Sequence, residues 1–324
     1  MTAGGEATEK PYEGAQVSHS PDRIYRHAFF DSRRWEEIAH RPGDIVISTS
    51  MKAGTTWMQG IVRNVLWPSG DLHGGSVESP WVEARWIRIE EIKETLASQE
   101  HRRFIKTHLP ADGLLLHDEV LYIVVARDGR DVFMSTVNHW DKLRDDFSDW
   151  VNELAAVDGV APLPKYDGDL HRFFDSWISQ GSFPWQGDGA PWWSHFHHIA
   201  TWWELRDREN VLLVHYNDLL ADLETEMRRV ASFCDIDVPE DMWPAVAERC
   251  TFAEMRSRAD ALKGYDERFE GGARSFFYKG TNQRWRGVLT DEELSRYEKR
   301  VSEVLDPEAA RWLERGRHES SLPR

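Results

Sequence analysis

Cysteine is almost absent from this chain of 324 residues: Cys234 and Cys250 are the only two. Two thiols make no disulfide framework, and neither has a Cys or His neighbour at zinc-ligand spacing, so a disulfide-stapled scaffold and a zinc module are excluded. The expectation is a protein without a metal, working in a reducing cytoplasm. Long apolar runs are lacking as well. Nothing approaches the ~18 residues of a membrane span, and residues 1–20 hold Gly4, Gly5, Glu6 and Glu9 where a signal peptide needs an apolar stretch. Basic charge is in deficit, with 40 Lys and Arg against 56 Asp and Glu and a formal charge of -16. General affinity for a nucleic-acid polymer or an anionic membrane is therefore disfavoured, and any small anion needs a local cluster of basic groups. What the chain has in excess is tryptophan: 16 residues, six of them between Trp177 and Trp203.

The length allows one large domain or two small ones. Residues 1–20 and 317–324 are polar and unpatterned and read as mobile tails around a single domain, 21–316. Short β-branched or apolar runs at 44–48, 103–107, 120–125 and 210–216 predict strands. Helical periodicity follows at 55–67, 131–140 and 223–234. Alternation of this kind predicts an α/β fold, a central parallel sheet flanked by helices. Residues 141–198 break the rhythm with Gly159, Pro162, Pro164, Gly168, Gly181, Pro184, Gly187, Gly189 and Pro191, and read as an irregular excursion that lids a site.

Three motifs carry chemistry. The first, Lys52-Ala53-Gly54-Thr55-Thr56-Trp57, lies between a strand and its helix, where backbone N–H groups and the helix dipole favour an anion. Gly54 permits close approach, Lys52 brings charge and the threonines bring hydroxyls. The order differs from the Walker pattern, in which Lys directly follows the last Gly. An ordinary strand-to-helix turn with a solvated lysine is the alternative. The second motif, Lys106-Thr107-His108, emerges from a strand end, where a histidine beside a lysine can accept a proton near neutral pH. In the third, Arg127 closes a strand and Ser135 lies eight residues on, in the next helix. A planar guanidinium and a helix-borne hydroxyl suit a phosphate, although Arg127 could pair instead with Asp128 or Asp131.

Together these motifs resemble the sulfotransferases that use 3′-phosphoadenosine 5′-phosphosulfate, best known from cytosolic enzymes acting on small phenols, alcohols and amines. The resemblance runs from about residue 25 to residue 290. It implies that the P-loop-like segment from Lys52 to Trp57 holds the phosphosulfate, that His108 is the general base with Lys52 and Lys106 beside it, and that Arg127 and Ser135 grip the 3′-phosphate. It further implies nucleotide contacts at Tyr216, at Thr251, Phe252 and Met255, and at Tyr278, Lys279 and Gly280, and an acceptor pocket walled by Trp81, Trp86, Trp140, Trp192 and Trp193. Trp57 and Trp285 fall in donor-side motifs. The acceptor implied is a small, aromatic or apolar molecule with a hydroxyl or amine. Three departures stand out: Ala53 where the family has Ser, Cys250 where it has Thr, and Tyr278 where it has Arg, which leaves Arg274 or Arg284 to supply the missing charge. The relatives' short dimer-forming segment is not recognisable between Met255 and Phe276, so a homodimer is left open only through another surface. Two rival readings remain at this point, an ATP-dependent phosphate-loop kinase and a non-catalytic nucleotide-binding protein with an inherited fold.

Overall fold

Apolar, β-branched strands buried on both faces form the centre of the molecule. The computed structural model describes residues 15–70, 79–259 and 265–317. Its main sheet has β2 (Ile45–Thr49), β3 (Phe104–Thr107), β5 (Leu121–Ala126) and β6 (Val211–His215), in the order β3-β2-β5-β6 and all parallel. Ile45 stands beside Phe104 and Leu121, and Tyr122 beside Val211. Alternation sends Ile45, Ile47, Ile123 and Val125 to one face, and Val46, Ile105, Tyr122 and Val124 to the other.

Helices cover both faces. α1 (Thr55–Leu66) packs Met58, Ile61, Val62 and Val65 on the first face; each such burial is worth about 1.5–3 kcal/mol. α2 (Ile89–Ser98), α3 (Gly129–Lys142), α4 (Asp145–Val157), α5 (Leu170–Ser179) and α6 (His195–Trp203) follow. After β6 come α7 (Tyr216–Ala221), α8 (Leu223–Phe233), α9 (Trp243–Arg249), α10 (Phe252–Ser257) and α11 (Gly272–Phe276). The chain closes with α12 (Asp291–Val304), started by a Thr290–Glu293 capping box, and α13 (Pro307–Arg315), started by the Asp306 cap and a proline at its first turn. Among the described residues no helix is long and apolar enough to cross a membrane.

Three sequence expectations need correction. Residues 141–198 are not an irregular excursion: they carry α4, α5 and the start of α6. Every glycine and proline that suggested loop lies in the connections, while Phe147, Val151 and Ala155 on α4 and Phe174, Trp177 and Ile178 on α5 are buried at helical spacing. At the amino end, residues 15–20 are tied down by β1 (Val17–His19), which pairs antiparallel with β4 (Leu116–His117). At the carboxyl end Arg317 is bound, its N–H donating to Asp218 at 2.9 Å and its guanidinium to the buried Glu226 at 2.5 Å. The remainder of both expected tails, 1–14 and 318–324, lies outside the described residues.

Candidate active site

Because the four strands are parallel, their carboxyl ends Thr49, Thr107, Ala126 and His215 share one edge. The residues that follow, Lys52 to Trp57 apart from Ala53, then His108, Arg127 and Tyr216, line a single cleft. Open α/β sheets bind ligands at this edge.

The β2–α1 loop is shaped for close approach. Lys52 and Gly54 both take left-handed backbone, φ 68° and 125°, and a Cβ on Gly54 would stand 3.1 Å from the Tyr216 ring. No side chain caps α1, so its first N–H groups remain available to an anion. Two histidines of α6 support this region, His195 the loop and His198 the strand before it. His195 donates from Nε2 to the Arg127 carbonyl at 3.0 Å, so its Nδ1 accepts from the Ser50 hydroxyl at 2.5 Å; His198 Nε2 meets the Ser48 hydroxyl at 3.0 Å. Ala53 departs from expectation: it is buried, does not line the cleft, and turns its N–H back to the Ser50 carbonyl.

His108 is 5% exposed and lines the cleft. Its Nδ1 donates to the Thr49 carbonyl at 2.9 Å, which fixes the tautomer and leaves Nε2 with the lone pair. Burial, with Lys106 and then Lys52 nearby, holds its pKa well below the usual histidine value, so the ring is neutral at pH 7. Underneath lies Glu83, wholly buried, accepting from the His108 N–H at 2.7 Å, the Thr107 hydroxyl at 2.9 Å and the Trp35 indole at 2.9 Å. Lys106 sits 4.7 Å from the Trp81 ring centre, its pKa lowered to about 8 by burial and by Arg268. Lys52 rests 3.8 Å from the Phe276 ring centre and 3.4 Å from His139 Nδ1. Burial, then Arg127, Lys106 and Arg284, lower its pKa to about 7.

Arg127, Ser135, Tyr216, Phe252, Met255, Tyr278, Lys279 and Gly280, the residues expected to hold a nucleotide, gather around the same cleft. Arg127 donates to Asn282 Oδ1 at 2.9 and 2.7 Å and to the Thr281 carbonyl at 3.1 Å, with its guanidinium 4.2 Å from the Tyr216 ring centre. Its pairing with Asp128 or Asp131 is therefore not what the fold selects. Gly280 needs its left-handed φ of 65°, since a Cβ there would meet Phe252 at 2.5 Å. Arg284 lines the cleft and lies 5.2 Å from the Tyr278 ring centre, whereas Arg274 on α11 does not line it. Thr251 caps α10 by accepting from the Glu254 N–H and stays outside the lining. Cys250 is buried, and its carbonyl accepts the Trp57 indole N–H at 2.8 Å.

Residues 42–307 match the family described as the sulfotransferase domain. The chain belongs to the sulfotransferases. A glycolipid sulfotransferase of Mycobacterium bovis is 34% identical over 319 residues, covering 91% of this chain and 94% of that protein. Sulfotransferase 1A1 of Rattus norvegicus is 26% identical, covering 82% of this chain and 85% of its own length. The fold is also that of mouse sulfotransferase SULT7A1, solved in complex with PAP, with a TM-score of 0.67, 20% identity and coverage of 87% and 92%.

In this sulfotransferase the acceptor-side walls differ in part from expectation. Trp81, Trp86 and Trp192 line the cleft; Trp140 and Trp193 do not. Trp193 packs at 4.1 Å against Phe30 in the core, and Trp140 backs the cleft behind Trp192 at 5.1 Å, its other side bordering a separate surface hollow. Trp285 belongs to the core, with Arg130 stacked at 4.3 Å. Periodicity did not reveal several lining residues: Phe29, His139, Phe147, Tyr265, Arg268 and Phe269. For His139 a signal existed, since it lies one helical turn after Ser135 and so on the same face of α3. Among the described residues no group of three or more His, Cys, Asp or Glu is arranged to hold a metal.

Proposed function

We propose that this sulfotransferase moves a sulfuryl group from 3′-phosphoadenosine 5′-phosphosulfate to a hydroxyl or amine of a small aromatic or apolar acceptor, with His108 as general base. The observation that carries the reading is the committed Nδ1 of His108: with that nitrogen donating to Thr49, Nε2 is the one left to take a proton inside the cleft. The cleft also fits the donor chemically. It offers an uncapped helix start, a glycine cradle closed by Tyr216, and several cations that, after burial itself, lower the pKa of Lys52.

In this reading Lys52 and the N–H groups at the start of α1 hold the phosphosulfate, while Arg127, Ser135, Lys279 and Arg284 hold the 3′-phosphate. Trp57, Phe252 and Met255 enclose the base. The donor supplies an activated sulfuryl group on a phosphate that leaves as a stable anion. His108 takes the acceptor's proton at Nε2 as the acceptor attacks. Its low pKa keeps it ready as a base, and negative charge entering the cleft offsets the fields of Lys106 and Lys52 that disfavour the imidazolium. Lys52 and Lys106 stabilise charge growing on the departing phosphate oxygen, a role that can be worth several kcal/mol. The aromatic walls Trp81, Trp86, Phe147 and Trp192 exclude water and suit a flat or apolar acceptor body. The glycolipid named for the mycobacterial relatives likewise joins an apolar body to hydroxyls.

His108→Ala is expected to lower turnover with a panel of phenols, alcohols and amines by roughly 10²–10⁴-fold. Calorimetric affinity for adenosine 3′,5′-bisphosphate should stay within about twofold, because the nucleotide contacts lie elsewhere. Loss of nucleotide binding in that variant would overturn the base assignment, and tighter binding of ATP than of the bisphosphate would overturn the donor.

A further inference from the structure

The acceptor end of the cleft is walled by aromatic rings, among them Trp81, Trp86, Phe147, Trp192 and Phe269. An imidazole stands in the same wall. His139, on α3 and 8% exposed, lines the cleft with its ring centre 4.8 Å from that of Phe269 and 6.1 Å from those of Trp192 and Phe276. The proton transfer assigned to His108 makes no use of it.

The two nitrogens of His139 are not equivalent. Nδ1 lies 3.4 Å from Lys52 Nζ. A bound donor anion keeps Lys52 as the ammonium, which has hydrogens and no lone pair, so Nδ1 accepts. Burial, then Lys52, His108, Arg268 and Lys106, hold the pKa of His139 well below the usual histidine value, so the ring is neutral. A neutral ring whose Nδ1 accepts carries its one proton on Nε2. That Nε2 has no hydrogen-bond partner among the described residues, and it is not sealed away as the indole nitrogens of Trp140 and Trp192 are. A donor set in an aromatic wall is costly to leave unmet once an acceptor body expels the water. His108 presents the complement, a lone pair at Nε2. The cleft thus offers one imidazole that takes a proton and one that donates a hydrogen bond.

We propose that the physiological acceptor carries, besides its reacting hydroxyl or amine, a second oxygen with a lone pair, such as an ether, carbonyl or further hydroxyl, and that His139 Nε2–H donates to it. His139 is then a specificity residue, acting on binding and orientation of the acceptor while His108 takes the proton. The inference rests on the proposed function, since it assigns the polar group left in the acceptor wall once the donor and the base are placed.

The test compares methoxyphenols with the ethylphenols of the same shape, ortho, meta and para, on the full-length enzyme. An ether oxygen accepts a hydrogen bond and the methylene in its place does not. In at least one position the wild type should favour the methoxyphenol about tenfold in kcat/KM. His139→Phe keeps an aromatic ring in the wall without the N–H, and should bring that ratio near one. His139→Gln, whose amide reaches the place of Nε2, should restore part of the preference; His139→Asn, whose shorter amide reaches only the place of Nδ1, should not. Each ratio is taken within one variant, so an effect on Lys52 or on the donor cancels. The second readout is calorimetry of the same pairs on the complex with adenosine 3′,5′-bisphosphate, where the about tenfold preference should again vanish in His139→Phe. Binding of the bisphosphate by each variant establishes that it is folded. A wild-type ratio at or below one in every position, or a ratio indifferent to His139→Phe, overturns the proposal. Equal losses of kcat for both members of every pair in His139→Phe, without a wild-type preference, would place His139 on the transferred group instead. If methoxyphenols and ethylphenols are sulfated alike, only this inference falls. If nothing is sulfated, the transfer reading falls, and the calorimetric pairs still decide for or against His139.

Discussion

Lys52 shows how much one residue's role depends on its neighbours. In sequence it is a lysine in a turn; in the fold it is buried against Phe276 and His139, with a pKa lowered to about 7 by burial and by Arg127, Lys106 and Arg284. An anion binding beside it raises that pKa. Below pH 7 the empty enzyme already holds the ammonium, so affinity for adenosine 3′,5′-bisphosphate is at its full value there. Above pH 7 binding must take up a proton, so affinity should fall, by up to about tenfold per pH unit until the bound-state pKa is reached. Calorimetry near pH 8 in two buffers of different ionisation enthalpy should register uptake of about one proton in the wild type and much less in Lys52→Arg, whose guanidinium stays charged. Absence of uptake in the wild type would remove Lys52 from the phosphosulfate site. Glu83 gives the opposite lesson: it belongs to no motif, yet its carboxylate binds the His108 N–H and the Thr107 hydroxyl.

At the scale of elements, the cleft is a meeting of ends: strand ends on one side, and the starts of α1 and α10 with the 276–284 segment on the other. Gly280 is where two of these pieces touch. Gly280→Ala must either abandon its left-handed backbone or push Phe252 aside, at a cost of about 1–3 kcal/mol. Affinity for adenosine 3′,5′-bisphosphate should drop about tenfold or more, measured by calorimetry, with the thermal midpoint lowered by about a few degrees, as the same strain in the folded state requires. The strand-then-helix units were legible because each is written in contiguous residues, an apolar or β-branched run followed by helical spacing, with a glycine at the turn in the first and third motifs, Gly54 and Gly129. α4 and α5 were not, because glycines and prolines in the flanking connections outweighed the shorter apolar stripes of Phe147, Val151 and Ala155, and of Phe174, Trp177 and Ile178.

Across the whole molecule, closure depends on contacts far apart in sequence. Arg317 spans back to α8, where Glu226 is fully buried and also accepts from Arg229 at 2.7 Å. Arg317→Ala removes one charged hydrogen bond from a buried carboxylate and should lower unfolding stability by about 1–3 kcal/mol in urea titration, with kcat nearly unaffected. A shift under about 0.5 kcal/mol would mean that the Arg317 guanidinium contributes nothing to the fold. The net charge of -16 acquires a context at this scale too. Acidic groups dominate the molecule, while the described cleft lining is wholly basic in its charged residues, so a small anion is held by geometry that average composition conceals.

The sequence by itself determined the parallel α/β core and, through local spacing, put the Lys52–Gly54 loop, His108 and Arg127 at strand ends as candidates, while Lys279 came only with the resemblance to the family. Tertiary structure alone decided which tryptophans reach the cleft, that Arg284 rather than Arg274 lines it near Tyr278, and that His195 braces the loop and His198 the end of β2. It also brought Glu83, His139 and Arg268 to the site. The physical reason is distance along the chain: a hydrogen bond from residue 108 to residue 83, or a field from residue 268 on residue 106, exists only once packing has fixed both partners.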